Sequence, residues 1–365
     1  MNGIINVYKE EGFTSHDVVA RLRGMLHEKH VGHTGTLDPM ATGVLPVCFG
    51  NATRVCDLIQ EKEKEYIFTM KLGVLTDTLD RTGTIISEDK NIDLTDEEIA
   101  KAVSSFVGNI EQVPPMYSAL KVHGRRLYEL AREGKTVERK KRQVTIREIE
   151  ILPFDAFDPD HYKTTAADGQ CDTDNAGAPQ SLSFSNDSTD SYKYWFSGRV
   201  LRARAVVSRG TYIRTLADDI GQKLGTHGTM TSLIRTASGI FRIGEAHKLS
   251  DIGDIFRKGG IGDILLPVDS LFMNYPALKV PEESMKYLLN GNKLPADIVD
   301  RSAGNAEAEH KSAGKYADDH EVLKDPEKIK KALNNTRFRI YGSDGTFKAV
   351  YELYGDELKP VKMFL

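Results

Sequence analysis

Two runs of alternating character restrict the fold of this chain more than any other feature. KEYIFTMKLG, residues 64 to 73, puts Tyr66, Phe68, Met70 and Leu72 on one face of a strand, and RVLRARAVV, 199 to 207, alternates basic and apolar side chains as a half-buried strand does. GIINVY, 3 to 8, is a shorter β-rich run. Helical periods are interspersed among them. GFTSHDVVARLRGML has Val18, Val19, Leu22 and Leu26 at helical spacing behind a Thr14 or Ser15 cap, and LTDEEIAKAVSSFVG is a second helix capped by Thr95. TYIRTLADDIGQKLG is a third, with Ile213, Leu216, Ile220 and Leu224 as its apolar stripe and Gly225 as its end. No clean βαβ repeat and no glycine-rich dinucleotide fingerprint accompanies them, so the expected class is α+β, on a large mixed, mainly antiparallel sheet.

A length of 365 residues is enough for two domains, and 40% hydrophobic with 28% charged residues suits a globular chain with a sizeable core. The boundary is expected near LLPVDSLFMNYPAL, giving domains 1–273 and 274–365. The second is a small β unit with RFRIYG, FKAVYELY and LKPVKMFL as strands, and residues 297–325 form its polar surface loop. Segment 155–193, rich in Asp, Ser, Thr, Asn and Gly, buries too little apolar area to fold and reads as a mobile insertion. TDTLDRTG is a polar loop, and successive prolines keep QVPPMYSALK extended.

The formal net charge of −4 hides an uneven distribution. Residues 155 to 190 hold eight Asp against Lys163 alone, and 297 to 325 hold eight acids against four bases. Residues 118 to 147 instead carry ten Lys or Arg against Glu129, Glu133 and Glu138. That local excess suits a phosphate backbone, although a solvated charged loop has the same composition. The opening MNGIINVYKEEG has no basic start followed by an apolar run, and no stretch approaches the roughly 20 apolar residues of a membrane span. A cytoplasmic protein is expected. Cys48, Cys56 and Cys171 are odd in number and lack metal-ligand spacing, which predicts free, buried thiols.

GHTGTLDPMATGVLP, residues 32 to 46, sets one carboxylate, Asp38, among glycines, threonines and two prolines. An Asp-Pro step commonly begins a turn for local reasons alone. Here, however, Gly35 and Gly43 permit close approach of a ligand or a second backbone, while Pro39 stiffens the turn before any reaction begins. With its neighbours, the stretch resembles the catalytic motif of the TruB family of tRNA pseudouridine synthases, in its bacterial form. KEYIFTMKLGVLTDTLDRTG, PPMYSALKVHGRRLYELAREG, SRGTYIRTLADDIGQKLG and LIRTASGIF match further stretches of that family in the right order. The likeness runs from residue 3 to about 250 outside the insertion, and the tail resembles the family's small RNA-binding PUA domain.

The resemblance implies a pseudouridine synthase core with a central cleft and a C-terminal PUA-like domain. It implies isomerisation of uridine 55 in the T arm of tRNA by a monomer without an obligate protein partner. No metal or cofactor is implied, because the substrate carries all the atoms of the product. Asp38 matches the essential aspartate, acting either at the sugar as nucleophile or on its C2′ proton. Both roles need an ionised carboxylate. Arg214 matches its partner, and a guanidinium within a few Å lowers a carboxylate pKa by ~1 to 3 units. Asp80 matches a second acid near that arginine. Tyr66 matches the aromatic that stacks on the flipped base, Tyr212 a residue that positions Arg214, and Leu233, read as a helix residue, an apolar wall of the pocket. His33 matches the residue that fills the gap left by the flipped base. Segment 118–147 matches the thumb, where Lys121, Arg125, Arg126 and the cluster 139–142 bind phosphates.

Alternatives from other classes are a tRNA-binding and refolding protein in which catalysis is secondary, and a guide-RNA-dependent synthase. A glycosidase would need a second carboxylate as leaving-group acid, which the motifs do not supply. Two departures from the family pattern stand out: Glu10, where many relatives have proline, and the acidic insertion.

Overall fold

The computed structural model describes residues 1–122, 124–153, 194–296, 298 and 335–365. Segment 155–193, with Cys171, and the loop 297–325 apart from Ile298 lie outside the described residues. Two compact units emerge, one of Ile5–Val47 and Cys56–Ile264, the other of Met1–Ile4, Cys48–Val55 and Leu265–Leu365. Among the described residues no helix is long and apolar enough to cross a membrane.

The first strands are β1 (Gly3–Lys9), β2 (Val31–His33), β3 (Thr42–Phe49) and β4 (Lys64–Leu72), followed by a hairpin, β5 (Val74–Thr76) and β6 (Ile85–Glu88). Then come β7 (Gly108–Gln112), a short hairpin of β8 (Lys121–Val122) and β9 (Arg125–Arg126), and β10 (Arg142–Ile151), β11 (Val200–Val207), β12 (Gly228–Ser238) and β13 (Phe241–Arg242). The large sheet has nine strands, ordered β1-β3-β12-β4-β11-β10-β7 with β2 and β13 at its margins. It is mixed because β12 runs parallel to β3 yet antiparallel to β4, while β4, β11, β10 and β7 pair antiparallel in turn. A large mixed sheet, mainly antiparallel, is what the alternating runs imply.

The helices are α1 (Ser15–Met25), α2 (Cys56–Gln60), α3 (Asp96–Ser104), α4 (Leu127–Arg132) and α5 (Ile213–Lys223), then others beyond β13. Thr14 and Thr95 each accept a hydrogen bond from the third helical amide, from Asp17 and Glu98, and these acids reach back to the cap: two complete capping boxes. Gly225 ends α5 in the left-handed region at φ +79°. Tyr66, Phe68, Met70 and Leu72 do share one face of β4, and with Leu216 and Ile220 of α5 they form the main core. The basic side chains of β11 alternate outward from its buried Leu201, Ala203, Ala205 and Val207.

Two sequence expectations need correction. LIRTASGIF is not helical: Leu233 sits in β12, where Thr-rich GTMTSLIRTAS is held between β3 and β4, so tertiary pairing rather than a short apolar spacing decides its state. Cys48 is fully buried, but Cys56 at the start of α2 is partly exposed, since of that short helix only Ile59 turns into the core.

The other unit has a five-stranded sheet ordered β14-β16-β17-β18-β15, with β14 (Ala277–Lys279), β15 (Leu294–Pro295), β16 (Arg337–Tyr341), β17 (Phe347–Tyr354) and β18 (Glu357–Met363). Its core gathers Leu278, Val280, Phe338, Ile340, Tyr351 and Leu358.

Candidate active site

The turn between β2 and β3 carries Asp38, and it is tied down from several sides. Leu37 N donates to Ser15 Oγ at 2.9 Å, Ala41 N to Asp38 O at 3.0 Å, and Gly12 N to Pro39 O at 2.9 Å. Thr34 is fully buried and its amide and hydroxyl both donate to Pro46 O. Lys9, also buried, donates from Nζ to the carbonyls of Glu10 and Pro39 at 3.1 Å each. Burial lowers the Lys9 ammonium to about 8, against the opposing pull of Asp38. Gly43, at φ +101°, is obligatory for a second reason: a Cβ there would meet the Arg235 carbonyl oxygen at 2.3 Å. Rigid backbone and close approach thus coincide, as the glycines and prolines imply.

Arg214 lies in the first turn of α5, with a side chain only 6% exposed. A cation is disfavoured at a helix N-terminus, where the macrodipole is positive, so carboxylates and carbonyls must hold it there. Its Nη2 donates to Asp38 Oδ1 at 3.0 Å and to Tyr117 O at 2.8 Å, and its Nη1 reaches Asp80 Oδ2 at 3.6 Å. Asp80 is 5% exposed and its Oδ1 is occupied by Thr78 Oγ1 at 2.8 Å, Thr82 N at 3.0 Å and Thr82 Oγ1 at 2.5 Å. Asp80 is therefore committed to protein donors and orients the guanidinium. The polar loop before it turns through Leu79 at φ +62°, which directs the acid inward.

Asp38 departs from the sequence expectation. Arg214 does lower its pKa, but desolvation by burial is the larger effect and Asp80 adds to it, so the carboxyl sits above its ordinary value of 3.8. A guanidinium contacts one of its oxygens from one side only, while the walls of the cleft displace water from the rest. The side chain is still 31% exposed, and among the described residues nothing donates to Oδ2. One oxygen is thus held and the other faces open space.

These groups line a cleft of about 1400 Å³. Tyr66, Tyr212 and Leu233 are part of its wall, as are His33, Lys121 and Arg126. Two bulges in β12 explain how Leu233 comes to face it. Thr231 and Thr236 are extra residues relative to β4, so Leu233 pairs with Phe68 and Arg235 with Tyr66, on the same face. Tyr212 caps α5 without a side-chain bond, and its own backbone is held by Gln112, which accepts from Tyr212 N at 3.0 Å and donates to its carbonyl at 3.3 Å. Burial raises the Tyr212 phenol. His33 accepts from Gly35 N through Nδ1 at 3.3 Å, and burial followed by the Arg235 charge lowers its pKa, so the ring is neutral with its proton on Nε2.

Of the sequence-predicted residues, Arg125 and the cluster 139–142 stand off the cleft wall: Arg125 is held in an exposed ion pair by Glu133, Arg139 donates to Pro114 O at 3.3 Å, and Lys141 pairs with Glu111 at 3.4 Å. The basic segment is also not one element. From Arg142 onward it is β10 of the large sheet, and Arg147 pairs with Glu63 at 2.6 Å. The rest of it is the hairpin β8–β9, helix α4 and the loop up to β10, where Arg126 and Arg132 flank Tyr128 on the cleft wall. Sequence reasoning missed Lys9, Gln112 and Arg235. A lysine ending the apolar strand GIINVYK and an arginine inside LIRTAS were the available signals, each a charge where the pattern calls for an inward side chain.

Comparison with known proteins bears on the same residues. The family model "TruB family pseudouridylate synthase (N terminal domain)" matches residues 23–170, and "tRNA pseudouridylate synthase B C-terminal domain" matches 214–273. A protein of Lachnoclostridium phytofermentans named tRNA pseudouridine synthase B is 40% identical, across 100% of both chains. The chain belongs to the TruB family. Another TruB relative with the same name, from Clostridium kluyveri, is 39% identical over 80% of this chain and 84% of its own. Among solved structures, a chain of a Cbf5-Nop10-Gar1 complex superposes with a TM-score of 0.60 at 21% identity, covering 100% of this chain and 85% of its own, and so shares the fold.

Proposed function

We propose that this TruB-family chain isomerises uridine 55 of the tRNA T loop to pseudouridine as a stand-alone, cytoplasmic monomer. The observation that carries the reading is Asp38: one oxygen is held by Arg214, the other is unengaged among the described residues, and both lie in a cleft large enough for an extruded nucleotide. In the reaction the bond from C1′ to N1 breaks, the base turns, C5 joins C1′, and the C5 proton is lost while N1 gains one. Asp38 starts this at the ribose, by attack on C1′ or by taking the C2′ proton. Arg214 balances its charge and Asp80 fixes Arg214. Tyr66 gives the flipped base a flat support and receives the C5 proton. Leu233 closes the apolar side and neutral His33 fills the space vacated in the T loop. Lys121 and Arg126, on the cleft lip, meet phosphates, and residues 274–365 act as a PUA-like RNA-binding domain.

The name carried by relatives at about 40% identity supports this activity, whereas the likeness to the Cbf5-Nop10-Gar1 chain, at 21% sequence identity, bears on the fold alone. The test is mapping of pseudouridine on a bare T-arm hairpin and on total tRNA with wild type and Asp38→Asn. Conversion at position 55 by wild type alone is expected. Conversion that requires a guide RNA, or persists in Asp38→Asn, would overturn the reading.

A further inference from the structure

Arg235 is 1% exposed, and both hydrogen bonds found for its guanidinium go to main-chain carbonyls: Nε to Val44 O at 2.6 Å and Nη2 to Gly35 O at 3.2 Å. Gly35 lies at the start of the turn that presents Asp38 and Val44 lies in β3 just past its end, so one planar fork ties the opening of that loop to the strand that follows it. The same residue is the junction of three strands. Its backbone pairs with Gly43 of β3 on one side and with Tyr66 of β4 on the other. The Thr236 bulge lies just beyond it, and the Thr231 bulge sets the parity that turns its side chain toward the cleft. Gly43 has no side chain because the Arg235 backbone occupies that space.

A buried guanidinium is costly unless its donors are used, and a fold that needed only stability would place an apolar residue here. We infer that Arg235 is a positioning residue: it fixes the Asp38 turn against the strand that carries Tyr66, setting the distance between the acid and the aromatic support. This rests on the proposed reaction. A lysine in its place keeps the charge but offers a single point donor that cannot span both carbonyls.

The experiment uses full-length Arg235→Lys with two readouts. Single-turnover conversion of a T-arm hairpin at saturating enzyme should fall roughly 10- to 100-fold, with the dissociation constant for the RNA changed by less than about threefold. Hydrogen exchange at Leu37 and Ala41 should accelerate by about tenfold or more, with the amides of α5 unchanged. Conversion at the wild-type rate, exchange unchanged in the turn, or a rate loss matched by lost RNA affinity would overturn the inference. Should Arg235→Lys fail to fold, Arg235→Gln decides in the same assays. The exchange arm does not use the reaction, so an inactive wild type would count against the proposed activity while leaving this inference to be judged on exchange.

Discussion

Among the described residues an arginine stands between two carboxylates in two places, once in the cleft at the start of α5 and once on the outward side of β11, and the two sites differ in what they leave undone. Arg204 is 30% exposed and fully engaged, donating to Glu65 from Nε at 2.9 Å and Nη2 at 2.6 Å and to Glu148 from Nη1 at 2.9 Å. Thr236 donates to the other oxygen of Glu65 at 2.7 Å. Arg214 is 6% exposed, its contacts to Asp38 and Asp80 are longer, at 3.0 and 3.6 Å, and its buried Nε has no hydrogen-bond partner among the described residues. Water screens the outer cluster, which makes it cheap and of modest worth. In the inner cluster Arg214 and Asp80 have lost that screening and only Asp38 keeps part of it; the cluster is not saturated in exchange, and the consequence is an acid above its ordinary pKa with one oxygen unengaged among the described residues.

The contrast is broken most completely at Asp38. Asp38→Asn keeps the shape of the side chain and removes its charge, so pseudouridine formation should drop to background, by about 10⁴-fold or more, with tRNA binding retained. Single-turnover assays beside equilibrium binding check this. Arg214→Lys comes next. A point charge cannot reach Asp38, Tyr117 O and Asp80 from one position, and we expect roughly a 100- to 1000-fold loss in rate. The matching change outside, Arg204→Lys, should leave the rate within about twofold, and equal losses at both sites would refute the distinction.

Acid dependence sharpens the comparison further. Because burial raises Asp38, kcat/KM should begin to fall on the acid side at a pH above that of a solvent-exposed aspartate. The effect on stability has a definite sign. Between the unfolded value and the raised folded one the native state keeps a proton the unfolded chain has released, so this group's contribution to stability falls as pH rises through that window. Asp38→Asn removes that loss, so its melting temperature at pH 7 should be no lower than that of wild type. The difference should narrow as the pH drops through that window toward the ordinary aspartate value of 3.8 and change no further below it. The smallest effect belongs to Glu65→Gln, where loss of one partly exposed ion pair should cost no more than about 1 kcal/mol in a denaturant melt and nothing in activity.

Much of this organisation is legible in the chain itself. Local chemistry fixes the strand 64–73, the capped helices at Thr14 and Thr95, the Gly225 stop and the stiff turn around Asp38, because periodicity, caps and proline act over a few residues. The Asp38, Tyr66 and Arg214 runs are legible in another way, through their resemblance to motifs of the TruB family. Tertiary structure decided the rest. Leu233 and Arg235 face the cleft only because β12 gains Thr231 and Thr236 against β4, and a bulge is a property of two strands in register, which neither spells alone. Asp38 is pushed up because walls drawn from distant parts of the sequence remove its water, so the balance between desolvation and the Arg214 charge exists only once the cleft has closed around it.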